Sequence, residues 1–193
     1  MAIFRWSYIP NAICVARIIL TVPIVIFLVR GNFQTALILI VIAGLSDGLD
    51  GFLAKNFGWQ TRIGGLLDPM ADKLMFVSVF AALTWTGLVP IWLLAVVIGR
   101  DVVIVAGAFA YEFLIGPVEP RPTRVGKLNT ATALVYLFFV MTYQIYGWPA
   151  QITLLITGAL VFVFSLVSGL HYVLTWSRLA IRARRASASA VDS

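Results

Sequence analysis

Apolar runs long enough to cross a bilayer recur along nearly the whole chain, and no other feature restricts the possible folds so sharply. Bounded by charge, glycine and proline, they read as six spans, over residues 8–30, 34–56, 65–87, 89–116, 123–147 and 149–176. Crossing the hydrocarbon takes about 20 helical residues. Inside lipid every backbone N–H and C=O needs an internal partner, which a helix supplies from its own ladder. Of the 193 residues, 61% are hydrophobic and 11% charged, against roughly 25% charged in a soluble domain. The expected architecture is therefore an all-α membrane protein of six transmembrane helices, with a membrane domain over 1–176 and a basic tail over 177–193. The tail alternates basic and small residues and suits a frayed surface helix or a disordered end.

The charges predict an orientation. If the spans alternate in direction, Arg5, Lys55, Arg62, Arg121, Arg124, Lys127, Arg178, Arg182, Arg184 and Arg185 share one side, and Arg30 marks the other. Both termini are then expected on the cytoplasmic face of, most simply, a bacterial inner membrane. The net charge of +6 serves this topology and anionic headgroups, so nucleic-acid binding is set aside. The first span is long, contains Arg17 and lacks a small-residue cleavage site, so it reads as part of the mature protein. The single cysteine, Cys14, rules out an intrachain disulfide or a cysteine-rich metal site and reads as a small buried hydrophobe.

Of eight acidic residues, four are Asp47, Asp50, Asp68 and Asp72, at the end of the second span and the start of the third. At 3.6 residues per turn, Asp47, Asp50, Gly51 and Ala54 share one helix face, as do Gly64, Asp68 and Asp72. The short connection between the spans makes antiparallel neighbours, whose two acidic stripes are expected to face one pocket. Four uncompensated carboxylates at mid-bilayer would cost on the order of 10 kcal/mol, less near the interface. Lys55, Arg62 and Lys73 are too few and too displaced to pair with all of them. Hard oxygen donors without His or Cys favour Mg²⁺ or Mn²⁺, and two such ions would clamp a phosphoryl centre. Gly51 and Gly64 leave room for a bulky diphosphate beside the backbone, whereas Gly44 and Gly48 form a GxxxG pattern that reads as helix packing.

Written out, the pattern is Asp47-x2-Asp50-Gly51-x2-Ala54-Lys55-x8-Gly64-x3-Asp68-x3-Asp72. It resembles the signature of the CDP-alcohol phosphatidyltransferases at exact gaps, with Lys55 where that family usually carries Arg. Lysine keeps the charge and loses the bidentate fork, so nucleotide affinity is the property this departure touches. The resemblance extends from Pro10-Asn11 and Arg17 through Gly99-Arg100-Asp101-Val102 to Thr123-Arg124-Val125-Gly126-Lys127-Leu128-Asn129-Thr130. It implies six helices, a cytoplasmic active site and a homodimer. It also implies metal ligands at Asp47, Asp50 and Asp68, and a further ligand and catalytic base at Asp72. Gly51, Ala54, Lys55, Thr61 and Gly64 are implied to surround the CDP moiety of CDP-diacylglycerol. An activated alcohol would attack the lipid-side phosphorus and release CMP.

The segments around Gly99–Asp101 and Lys127–Thr130 look most similar to family members that transfer onto phosphatidylglycerol and so make cardiolipin. Members that use glycerol 3-phosphate and make phosphatidylglycerophosphate are the near alternative. Arg100, Arg124 and Lys127 are candidates for the acceptor phosphate in either case. From another class, a divalent-cation transporter or channel would explain the aspartates, but not the glycine, alanine and lysine spacing. His171 reads as a helix-end polar residue, and Trp6, Trp85, Trp92, Trp148 and Trp176 as interface anchors.

Overall fold

A computed structural model describes residues 9–57, 64–114 and 124–191; of these, the side chains at 9–12, 47–57, 64–69, 108–112, 114, 124, 176 and 178–191 are outside the description. Every regular element among the described residues is an α-helix: α1 (Ile9–Val29), α2 (Phe33–Phe57), α3 (Gly64–Trp85), α4 (Ile91–Leu114), α5 (Arg124–Tyr146) and α6 (Gln151–Val191). They coincide with the six apolar runs to within a few residues at every end but one, the C-terminus of α6, which reaches Val191 where the sixth run stops at 176. Among the described residues, two stretches, Val125–Tyr146 and Gln151–Thr175, are long and apolar enough to cross a membrane, while Ile13–Val29 and Phe33–Ser46 are shorter apolar helices. Beyond Thr175 the last helix continues without a break to Val191, carrying the basic tail as helix.

Glycine closes three of these helices. Gly31, Gly87 and Gly147 take positive φ values of 76°, 77° and 68°, a conformation glycine adopts without a Cβ penalty. After α1, the Gly31 N–H donates to the Leu28 carbonyl and the Asn32 N–H to the Phe27 carbonyl, at 3.0 and 2.9 Å. That is the bonding pattern of a Schellman cap. Gly87 and Leu88 repeat it on Thr84 and Leu83 after α3. Asn32 serves both neighbours, because its Oδ1 also accepts from the Thr35 N–H at 3.3 Å and caps the start of α2.

Hydroxyls within the helices turn inward onto their own backbone. Thr21, Ser46, Thr84, Thr132 and Thr175 each donate to the carbonyl four residues earlier, at 2.8–2.9 Å. This satisfies a polar group without water, as an apolar environment demands. Large apolar side chains meanwhile face outward, among them Ile19, Leu45, Ile91, Phe113, Leu155 and Leu170. In water such a surface would drive aggregation; against lipid it costs nothing.

The chain divides into two compact units, residues 1–90 with 140–148, and residues 91–139 with 149–193. In the first, α1 packs against both α2 and α3. Its buried seam is Cys14, Arg17, Thr21, Ile24 and Leu28, spaced alternately three and four residues apart, which keeps one stripe on one helix face. Cys14 is buried as expected, and the small residues Ala36, Ala43 and Ala71 on α2 and α3 are buried with it, permitting close helix approach. In the second unit α4 packs on α6. The buried line of α6 is Gly158, Val161, Ser165 and Ser168, again at steps of three and four. The Tyr136 ring of α5 lies over Gly158, 3.2 Å from where a Cβ would stand.

Candidate active site

Helices α2 and α3 run unbroken through the signature, α2 over Asp47, Asp50, Gly51, Ala54 and Lys55, and α3 over Gly64, Asp68 and Asp72. The register that relates residues three and four apart is therefore present on both helices. Asp72 is the signature residue whose side chain is described. Thr61 lies outside the described residues, as do the side chains of Asp47, Asp50, Asp68, Ala54, Lys55 and Arg124. The expected convergence of the two acidic stripes falls on those side chains.

At Asp72 the geometry is specific. Arg17 Nη1 of α1 donates to Asp72 Oδ1 of α3, forming an ion pair between residues 55 apart in sequence. The two partners are unequal: the Arg17 side chain is 1% exposed and that of Asp72 is 47% exposed. Burying a guanidinium is expensive unless a carboxylate shares the site. The pair thus anchors an otherwise costly cation on the α1 seam and leaves the carboxylate at a surface. Lys73, the next residue, is exposed.

In the sequence, Arg17 stands out as a charge within the first span and as part of the wider resemblance, with no role in the site. The usable signal was its type and place, since a charged residue inside an apolar span is costly without a partner. Its partner could not be read, because α1 and α3 are brought together only by tertiary packing.

In the second unit Arg100 and Asp101 of α4 form a different arrangement. Arg100 Nη1 donates to Asp101 Oδ1 at 2.7 Å, while Nε and Nη2 both donate to Ser168 Oγ of α6, at 3.1 and 3.0 Å. The Tyr172 ring centre stands 5.8 Å from the guanidinium carbon, within range of a cation–π contact. On α5, Asn129 is buried and accepts from Ser165 Oγ at 2.8 Å, while Lys127 is exposed. His171 is exposed, and its carbonyl accepts from Thr175.

By type the signature's donors are carboxylates, the ligands that a hard divalent cation takes; among the described residues no three of them come together, since the side chains of Asp47, Asp50 and Asp68 lie outside the description.

Comparison with known proteins bears on this chemistry. Residues 7–180 match the family model of CDP-alcohol phosphatidyltransferase. The chain is 30% identical over 165 residues to the Homo sapiens cardiolipin synthase (CMP-forming), covering 77% of this chain and 54% of that protein. It is 36% identical over 153 residues to the Streptomyces coelicolor cardiolipin synthase (CMP-forming), covering 75% of this chain and 69% of that one. The Aquifex aeolicus CDP-diacylglycerol–glycerol-3-phosphate 3-phosphatidyltransferase is 32% identical over 144 residues, with coverage of 72% and 78%. The chain spans about half the length of the animal relatives it matches, 44% of the Drosophila melanogaster protein and 54% of the human one.

Proposed function

The chain belongs to the CDP-alcohol phosphatidyltransferase family, and from that premise we propose that it transfers the phosphatidyl group of CDP-diacylglycerol to phosphatidylglycerol, giving cardiolipin and CMP. The observation that carries this reading is the full aspartate signature, with its glycines and alanine at exact gaps, on two unbroken helices. The names of the human and Streptomyces relatives support phosphatidylglycerol as acceptor. Glycerol 3-phosphate is the second reading, favoured by the Aquifex relative, most of whose length this chain covers.

In this reading Asp47, Asp50 and Asp68 hold two Mg²⁺ or Mn²⁺ ions, with Asp72 as a further ligand. When bound, the ions supply electrostatic stabilisation of the attacking and leaving oxygens. Gly51, Ala54, Lys55, Thr61 and Gly64 surround the CDP moiety. Asp72 accepts the proton of the acceptor hydroxyl, whose oxygen attacks the lipid-side phosphorus. That phosphorus–oxygen bond forms as the bond to the CMP phosphate breaks, so no covalent enzyme intermediate is needed. Arg124, Lys127 and Arg100 hold the acceptor phosphate. Three of the five guanidinium N–H groups of Arg100 are committed to Ser168 and Asp101, which fixes the direction of the other two. Positioning and electrostatics then carry most of the rate.

The same reading makes all six helices transmembrane, puts the active site and both termini on the cytoplasmic side of a bacterial membrane, and pairs the chain as a homodimer. The test is product analysis with purified protein in detergent, given CDP-diacylglycerol, Mg²⁺ or Mn²⁺, and the two acceptors separately. Cardiolipin and CMP with phosphatidylglycerol are expected. Product only with glycerol 3-phosphate would establish the second reading. No CMP with either, together with metal-dependent ion flux in proteoliposomes, would decide for transport.

A further inference from the structure

We infer that Arg17 is a positioning residue for the reaction, aiming the Asp72 carboxylate from α1; this rests on the proposed role of Asp72 as base. Arg17 lies on the buried seam of α1 between Cys14 and Thr21 and is 2% exposed, so its packing holds the side chain in place. Its planar guanidinium stays charged and donates in a fixed direction, unlike the flexible point charge of lysine. Through Nη1 it engages Oδ1 of Asp72, whose side chain is 47% exposed. One end of the contact is thus immobilised in the helix packing and the other is presented outward. A carboxylate on the third turn of α3 keeps more than one allowed rotamer, and a contact from another helix selects among them. Arg17, on the helix that packs against both α2 and α3, makes one such contact.

The placement has a kinetic meaning. Misplacing a reacting group by about 1 Å costs on the order of 100-fold in rate, without necessarily weakening substrate binding. Arg17→Gln should therefore lower kcat by on the order of 100-fold while the KM values for CDP-diacylglycerol and the acceptor stay within about twofold. Arg17→Lys, which keeps the charge but loses the fork, should recover part of that loss. A merely structural arginine would change the amount of folded protein and leave the kcat of what remains intact.

A double-mutant cycle on thermal stability, read in detergent on Arg17→Gln, Asp72→Asn and the double variant, tests the pair independently of turnover. The double variant should lose less than the sum of the single losses, as contacting residues do. Wild-type kcat in folded Arg17→Gln, or additive stability losses, would overturn the inference. If the wild-type chain releases no CMP at all, phosphatidyl transfer fails while the stability cycle still decides whether Arg17 and Asp72 act as a pair.

Discussion

Among the described residues, two arginine–aspartate pairs sit within the helices and are built in opposite ways. Arg17 and Asp72 join α1 to α3 across 55 residues, with the arginine at 1% exposure and the carboxylate at 47%. Arg100 and Asp101 are neighbours on α4, both at 11% exposure, and Ser168 takes up two more of the arginine's donors. The first pair buries its cation and offers its anion; the second encloses both charges and ties its arginine to α6. A closed, nearly neutral pair holds a guanidinium still, which suits recognition and helix docking. A lopsided pair leaves a carboxylate where an incoming hydroxyl could meet it, which suits proton transfer. With Asp72 as the proposed base and Arg100 as the proposed acceptor contact, exposure of the carboxylate, 47% against 11%, is what would separate the two roles.

The sharpest way to break this comparison is Asp72→Asn. Loss of a general base lowers turnover by about 10²–10⁴-fold, and folded protein should persist in the membrane. CMP release per folded molecule measures it, and near-normal turnover would remove the distinction between the pairs. Ser168→Ala probes the closed pair. It strips the acceptor from two guanidinium N–H groups, and an unsatisfied buried donor costs about 1–3 kcal/mol. The expected result is a lower melting temperature and an acceptor KM raised about tenfold, the equivalent of 1.4 kcal/mol, with the KM for CDP-diacylglycerol unmoved. A changed CDP-diacylglycerol KM would mean that this region serves the nucleotide instead.

Gly158→Ala tests the packing of α5 on α6 in the same unit without touching a charge. The added Cβ would stand 3.2 Å from Tyr136 Cε2, so the ring must shift, at about 1 kcal/mol, the low end for overpacking; thermal unfolding in detergent reads it. The smallest effect belongs to Asn32→Ala at the α1–α2 turn. It removes one N-cap bond, worth about 0.5–1 kcal/mol, and should lower stability slightly while leaving kcat and both KM values alone. A kinetic effect there would show that α1 and α2 transmit changes in their turn to Asp72.

Much of the fold was legible because a bilayer narrows the choices. Six apolar runs became six helices, with ends marked by Gly31, Gly87 and Gly147, since glycine punctuates a helix for local reasons. The tail was less legible: alternating basic and small residues carry no strong propensity, yet α6 continues through them to Val191. The candidate site was legible as far as its spacing, because periodicity on one helix is a local property. Arg17 was not. Its role follows from which helix packs beside α3, and nothing in the residues around it names that helix.

Residue types and their order determined the helices, the clustering of four aspartates at one connection and the family chemistry they imply, because hydrophobic transfer, backbone satisfaction and helical period act over short stretches of chain. Only the tertiary structure decided that α1 packs against both α2 and α3, that Asp72 meets a buried guanidinium from α1, and that Arg100 is clamped by Ser168 from α6. Those facts depend on contacts between segments tens of residues apart, where the free energy of packing, summed over whole helix faces, selects one set of neighbours.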